Sequence, residues 1–149
     1  MVNITLSVLE SIQSTLGTLS AEKGGIIGGT SNTISAYYFD KDAHTDHAHY
    51  FPSVQQINAI IRQWAQSGIS FLGIIHSHQH GDMRLSGTDI AFAREIIRTN
   101  LPKIKFLYFP IVASTFDRFC FEITIYRITL DTIEIESTQI LNHIMEEEK

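Results

Sequence analysis

Apolar residues recur at two different spacings along the chain, and these spacings predict the order of its helices and strands. Helical spacing is found in three segments. The first is residues 5–17, the second begins at Pro52 and ends at Ser67-Gly68, and the third begins at Ser86. Proline suits the first helical position because the N–H that it lacks has no partner within a helix. The inward face of the third helix is predicted to comprise Ile90, Phe92, Ala93, Ile96 and Ile97.

Short apolar runs predict the strands. Continuous runs at 24–29, 71–75 and 106–113 suit buried strands, a second strand is predicted at 33–39, and the alternation from Phe119 to Ile125 suits a half-buried one. A last strand is predicted around Ile133 and Ile135, and the tail from Thr138 is predicted to be a short helix. The predicted order is α-β-β-α-β-α-β-β-β. This order indicates one mixed α/β domain over residues 1–149, with a central sheet flanked by helices.

Composition narrows the class of protein. Apolar residues make up 44% of the chain and charged residues 18%, which favours a folded domain over a disordered one. The net charge of −5, without basic runs, argues against nucleic acid or an anionic membrane as partner. A single cysteine, no signal-peptide pattern and no apolar run of about 20 residues predict a cytoplasmic protein.

The chemistry is concentrated in one segment. His76 and His78 end the third predicted strand, and seven residues later come Ser86 and then Asp89, on the first turn of a helix. Side chains two apart on a strand point the same way, so both imidazoles could face one metal ion. Asp89 could add an oxygen ligand. Three protein ligands leave one position of zinc for water, as in catalytic zinc sites.

Each half of this pattern has a simpler interpretation when taken alone. A His-x-His pair is weak evidence for a metal site, and Ser86 with Asp89 forms the sequence of a helix capping box. The two pairs together, at this spacing, favour the site, because a cap has no reason to follow a His-x-His strand end.

The complete pattern resembles that of the JAMM/MPN-plus (Mov34/MPN/PAD-1) zinc metalloprotease family, in its compact prokaryotic type. The family pattern is a Glu, a long gap, His-Ser-His, seven residues, then Ser-x-x-Asp, and the serine between the histidines is Ser77 here. Here it falls on Glu22, just before the Gly-rich run 24–29, and on the segment from His76 to Asp89. The resemblance extends from about Glu22 to Val112 and implies a cytidine-deaminase-like MPN core.

The resemblance also implies roles. His76, His78 and Asp89 would bind Zn²⁺, Glu22 would be the general acid and base, and Ser86 would stabilise the oxyanion. Family members are metallopeptidases, many of them deubiquitinase-like isopeptidases. They hydrolyse peptide or isopeptide bonds after the C-terminal Gly-Gly of ubiquitin-like or sulfur-carrier proteins. A ubiquitin-like protein or its conjugate is therefore the expected substrate and partner.

One departure leaves a second hydrolase hypothesis open. Proline often follows the second histidine in the family, whereas this chain has Gln79 and then His80. His76, His78 and His80, with Asp82 nearby, superficially resemble the ligand run of a metallo-β-lactamase-like hydrolase, although the order of His and Asp differs. We expect His80 to face solvent or the cleft rim.

Two other interpretations come from different classes. A non-catalytic MPN-type scaffold usually lacks part of the metal set, which this chain retains. A cupin-like His-x-His site requires an all-β barrel, which the predicted helices contradict.

Two further features have simple interpretations. His44, His47 and His49 lie in a polar segment where a second metal site is conceivable, but a solvated loop is the better interpretation. Cys120 is expected to be a packed thiol.

Overall fold

The computed structural model describes residues 1–16, 23–41, 44–45, 50–79, 82–114 and 122–142. Within these ranges the helices are α1 (Leu6–Thr15), α2 (Val54–Gln66) and α3 (Gly87–Thr99). The strands are β1 (Val2–Thr5), β2 (Gly24–Thr30), β3 (Thr33–Phe39), β4 (His44–Thr45), β5 (Tyr50–Phe51), β6 (Ser70–Gln79), β7 (Leu107–Ser114), β8 (Ile123–Ile128), β9 (Ile133–Glu136) and β10 (Thr138–Leu141).

Eight of the strands form one mixed sheet, in the order β10-β1-β3-β2-β6-β7-β8-β9. Strands β4 and β5 form a separate two-stranded pair. The central strand β6 runs antiparallel to β2 and parallel to β7. Because both edges of β6 are paired, its position and side-chain directions are fixed from both sides.

The two faces of the sheet carry separate apolar cores. Ile27 and Ile75 belong to the core that α1 covers, whereas their neighbours Ile26 and Ile74 belong to the core under α2 and α3. Consecutive residues of a strand point to opposite faces, which accounts for this division. The mixed α/β fold with a large central sheet flanked by helices is therefore confirmed.

Helix α2 lies close to the sheet because glycine leaves it room. A Cβ at Gly28 would come within 2.7 Å of the Trp64 ring. The helix ends where Gly68 adopts a φ of +79°, a left-handed conformation that glycine adopts without strain.

The start of α2 differs from the sequence prediction. Ser53, rather than a residue before Pro52, is the N-cap, so Pro52 precedes the helix and is not its first residue. The reason is a contact across the chain: the buried Asp40 carboxylate accepts a hydrogen bond of 2.8 Å from the Ser53 N–H. This bond holds residues 52–53 to the end of β3 in a non-helical conformation.

The ends of the chain also differ from prediction. The tail from Thr138 forms strand β10 and not a helix, because it pairs in parallel with β1, itself a strand that the sequence pattern does not indicate. Helix α3 turns Ala93 and Ile97 inward as predicted, but Phe92 is 36% exposed because it lies at the rim of a groove between α2 and α3.

The polar segment expected to be a loop contains strand β4, which pairs with β5 just after it, because backbone pairing of two residues needs no apolar pattern. The remaining predicted elements agree with the structure to within a few residues. The predicted strand at 119–125 is observed from Ile123 onward, and Phe119, Phe121 and Cys120 lie outside the described residues. Among the helices of the described ranges, none is long and apolar enough to cross a membrane.

Candidate metal centre

Strand β6 presents two imidazoles on one face of the sheet. His76 and His78 are each only 7% exposed, and the His76 ring meets the edge of the Phe109 ring at a centroid distance of 5.0 Å. His76 lies opposite Gly24 of β2 on one side and Ile111 of β7 on the other. Strand pairing therefore holds His76 on both sides, and it holds His78 on the β7 side, where His78 lies opposite Ala113.

Helix α3 supplies the carboxylate. Ser86 is the N-cap of α3, and the Ser86 Oγ accepts a hydrogen bond of 3.0 Å from the Asp89 N–H. The Asp89 Oδ2 accepts one of 3.1 Å from the Ser86 N–H, which completes the capping box. The cap interpretation of these two residues is thus confirmed. The same cap fixes the rotamer of Asp89 so that its carboxylate faces β6.

The structure brings the three predicted ligands together. Asp89 Oδ1 lies 2.9 Å from His76 Nδ1, and Asp89 Oδ2 lies 3.2 Å from His78 Nε2. One ligand atom from each residue lies within 4.8 Å of the others. Burial raises the pKa of the Asp89 carboxyl, but the hydrogen bonds from His76 and His78 outweigh burial and hold its pKa far below the usual range.

The arrangement can bind a metal ion. Ligand atoms that share one tetrahedral zinc lie about 3.4 Å apart, so small side-chain shifts bring these atoms to zinc spacing. Two imidazole nitrogens and one carboxylate oxygen also form a donor set that zinc prefers.

The hydrogen bonding of His78 gives an independent test of the fit. Its Nδ1 lies 3.0 Å from the Asp82 backbone oxygen, which can only accept, so Nδ1 must carry a proton. In a neutral imidazole Nε2 then carries a lone pair that faces the Asp89 carboxylate. Facing the carboxylate, this nitrogen needs either a second proton, which would make His78 an imidazolium that donates to Asp89, or a cation between the two groups. A metal ion at this point satisfies both, with His78 held by its outer nitrogen as metal-binding histidines usually are.

Ser77 links this strand to the beginning of β2, a contact that sequence reasoning missed. Its side chain is fully buried on the face opposite the histidines, and its Oγ accepts a hydrogen bond of 3.0 Å from the Lys23 N–H. Its own N–H donates to the Lys23 carbonyl at 2.8 Å. In the sequence, Ser77 is marked only as the middle residue of the His-Ser-His pattern, which predicts no contact for its side chain.

Several residues from the sequence analysis lie outside the described residues. These are Glu22, which directly precedes Lys23, and His80, His47 and His49. His44 lies in strand β4, but its side chain is not described. The general-base role of Glu22 and the role of His80 therefore stay predictions.

An apolar groove lies on the same face of the sheet as the candidate centre. It has a volume of about 730 Å³ between α2 and α3, with Ile26 and Ile74 among its lining residues. Ile74 is two residues before His76, so the groove begins roughly 7 Å along β6 from the first histidine. Phe92 and Ile57 line it from the two helices.

Comparison with known proteins identifies the family. A family model described as prokaryotic homologs of the JAB domain matches residues 8–124. The chain belongs to this family. The matched region of this JAB domain includes all the candidate residues from Glu22 to Asp89. JAB/MPN proteins include zinc metalloisopeptidases, and this member has a His-His-Asp group able to bind a metal. No curated protein sequence matches it significantly.

Solved structures share the fold of this JAB domain at low sequence identity. A solution structure of a Desulfitobacterium hafniense protein has a TM-score of 0.77 and 17% identity, and the match covers 98% of this chain and 97% of that one. A crystal structure of a JAB1/MPN domain protein from Archaeoglobus fulgidus has a TM-score of 0.58 and 15% identity over 95% and 98% of the two chains.

A third structure is described by the words "JAMM: a metalloprotease-like zinc site in the proteasome and signalosome". It has a TM-score of 0.56 and 14% identity, with coverage of 95% of this chain and 99% of that one. Identities this low show a common fold. The expected MPN-type core is therefore confirmed.

Proposed function

We propose that this JAB domain is a zinc metalloprotease or isopeptidase that hydrolyses the bond after the C-terminal Gly-Gly of a ubiquitin-like or sulfur-carrier protein. The observation that carries the proposal is the buried group of His76, His78 and Asp89, whose ligand atoms lie within 4.8 Å of one another. Removing a carboxylate and two imidazoles from water costs free energy, and a bound metal ion would offset that cost.

Zinc bound by these three residues would lower the pKa of a coordinated water to about 7 and polarise the scissile carbonyl. Glu22 is proposed to accept the proton of the attacking water and to deliver it to the departing amine. The support for this role is its place in the sequence, one residue before Lys23, whose backbone Ser77 binds from between the two histidines.

Ser86 is proposed to donate a hydrogen bond to the oxyanion of the tetrahedral intermediate. Its role as a cap is compatible with this, because the cap uses only a lone pair of Oγ, as acceptor from the Asp89 N–H. The hydroxyl proton can be donated to a second group. Ser86 itself is exposed, so a substrate can reach it.

The groove between α2 and α3 supports a substrate with an extended tail. A chain that lies over Ile26 and Ile74 would lead directly to His76. Two terminal glycines suit the approach to a centre flanked by β6 and the start of α3, because they add no side chain there. We therefore propose that the groove holds the residues preceding the Gly-Gly pair.

The test combines bound zinc with cleavage of a ubiquitin-like protein that carries a C-terminal Gly-Gly extension. The parent is expected to hold about one zinc per chain and to cleave, whereas Glu22→Gln keeps the zinc and loses turnover by several orders of magnitude. Glu10→Gln, the same change at an exposed position of α1, serves as the control and should behave like the parent.

The outcomes separate the competing functions. A parent without zinc would support the non-catalytic scaffold, and a Glu22→Gln variant as active as the parent would exclude Glu22 as the base. If His80→Ala abolished both zinc and cleavage, the hydrolase that uses His76, His78 and His80 would replace the proposal.

A further inference from the structure

The segment 82–85, which follows the second histidine, fixes the orientation of that histidine. The backbone oxygen of Asp82 accepts the hydrogen bond from His78 Nδ1 at 3.0 Å, and this leaves Nε2 facing Asp89. If the Asp82 carbonyl moved by 1 Å, this bond would be lost, and with it one of the contacts that orient the imidazole ring. The position of segment 82–85 therefore determines how well His78 is prepared for a metal.

Besides the bond from His78, one further hydrogen bond among the described residues joins segment 82–85 to the sheet. The Tyr126 hydroxyl, on β8, donates to the Met83 backbone oxygen at 2.8 Å. The bonds between Asp82 and Arg84 are internal to the segment and exposed, so they shape it without anchoring it. Met83 and Leu85 add apolar packing on the core under α2 and α3.

Tyr126 is itself rigidly placed. Its backbone lies opposite Phe109 of β7 on one side and Ile135 of β9 on the other. Phe109, the residue opposite Tyr126 on β7, packs its ring against that of His76. The hydroxyl of Tyr126 thus extends from a paired strand to a segment whose other described contacts with the sheet are the bond to His78 and the apolar packing of Met83 and Leu85.

We propose that Tyr126 is a positioning residue for the metal ligand His78, acting through its hydrogen bond to the Met83 carbonyl and from there through the adjacent Asp82 carbonyl. This inference rests on the proposed zinc centre and adds a residue that the ligand pattern does not contain. Metal-binding histidines depend on the partner of their second nitrogen, and here that partner is a backbone atom whose place Tyr126 holds.

The test deletes the hydroxyl alone. Tyr126→Phe is expected to weaken zinc binding about tenfold, as removal of outer hydrogen bonds around metal ligands does, measured by competition with a chelating dye. Tyr37→Phe is the matched control. It deletes a hydroxyl that shares a bond of 2.7 Å with Thr15 on the opposite face of the sheet, and it should leave zinc affinity within about twofold of the parent's.

A second measurement needs no metal. In the zinc-free parent, the Nδ1 proton of His78 should be visible by NMR and protected from exchange with solvent by its bond to Asp82. Exchange of this proton should accelerate about tenfold in Tyr126→Phe, because losing one hydrogen bond shifts the opening equilibrium of the segment by about that factor. The exchange rate should stay unchanged in Tyr37→Phe. A purely structural role for Tyr126 would not act on this one proton.

The two measurements separate this inference from the proposed function. If the parent binds no zinc, the proposed function fails, and the exchange rates of the zinc-free proteins still decide the role of Tyr126. Equal zinc affinity in the parent and Tyr126→Phe would overturn the inference, as would equal exchange of the His78 proton. An equal loss of zinc affinity in both tyrosine variants would also overturn it.

Discussion

Ser86 has two roles in this account, and they can be separated by substitution. As the N-cap of α3 it accepts a hydrogen bond from the Asp89 N–H at 3.0 Å, and Ser86→Ala should lower the free energy of unfolding by about 1 kcal/mol. As oxyanion donor its loss should lower kcat by about 10²–10³. A domain with roughly 5–15 kcal/mol of stability stays almost fully folded after the first change, so unfolding cannot explain the second.

Ser86→Asp provides the matched control. Aspartate caps helices as well as serine does, so the free energy of unfolding should stay within about 0.5 kcal/mol of the parent value. The substitution removes the hydroxyl proton and adds a negative charge where the oxyanion would form. Its kcat should therefore fall at least as far as that of Ser86→Ala, although its stability is retained.

Urea unfolding, zinc content and single-turnover cleavage of a Gly-Gly-extended ubiquitin-like protein measure the three quantities independently. The oxyanion role would be refuted if both Ser86 variants kept kcat within about threefold of the parent while binding zinc normally. The cap would be refuted as the source of stability if Ser86→Asp lost as much stability as Ser86→Ala.

Three further predictions concern other parts of the chain. Gly28→Val should lower the free energy of unfolding by about 1–3 kcal/mol in urea titrations, because its Cβ would come within 2.7 Å of Trp64; an unchanged value contradicts this packing. His80→Ala should keep zinc and cleavage, and loss of both would favour the three-histidine site. Burial raises the pKa of Tyr37, so above about pH 10 the unfolded chain loses the Tyr37 proton more readily than the folded one. The difference in free energy of unfolding between the parent and Tyr37→Phe should therefore be constant below about pH 10 and change in favour of the variant above it. A difference that does not depend on pH would contradict this.

The sequence predicts those parts of the fold that local periodicity determines. Strand β6 and helix α3 are examples, because a continuous apolar run and a helical apolar face each require one kind of element. Strands β1 and β10 are different. Each has only four residues, too few to carry a local pattern, and they pair with each other from opposite ends of the sequence, with β3 on the other side of β1.

The candidate centre shows the same division. His76, His78 and Asp89 follow from spacing because a strand and a capped helix set their side-chain directions in advance. The partner of His78 is a backbone oxygen, which any residue type at position 82 would supply. Tyr126 acts from a strand that is distant in sequence. Such contacts leave no pattern in the residue types, and only the folded chain reveals them.

The most direct test of the account is the zinc content of protein purified without chelator, measured for the parent and for Asp89→Asn. Asparagine can still accept the hydrogen bond from the Ser86 N–H, so the variant should fold, but it lacks the carboxylate. We expect about one zinc per parent chain and far less than one in Asp89→Asn after dialysis. A parent without zinc, or a variant that retains as much zinc as the parent, would contradict the metal centre described here.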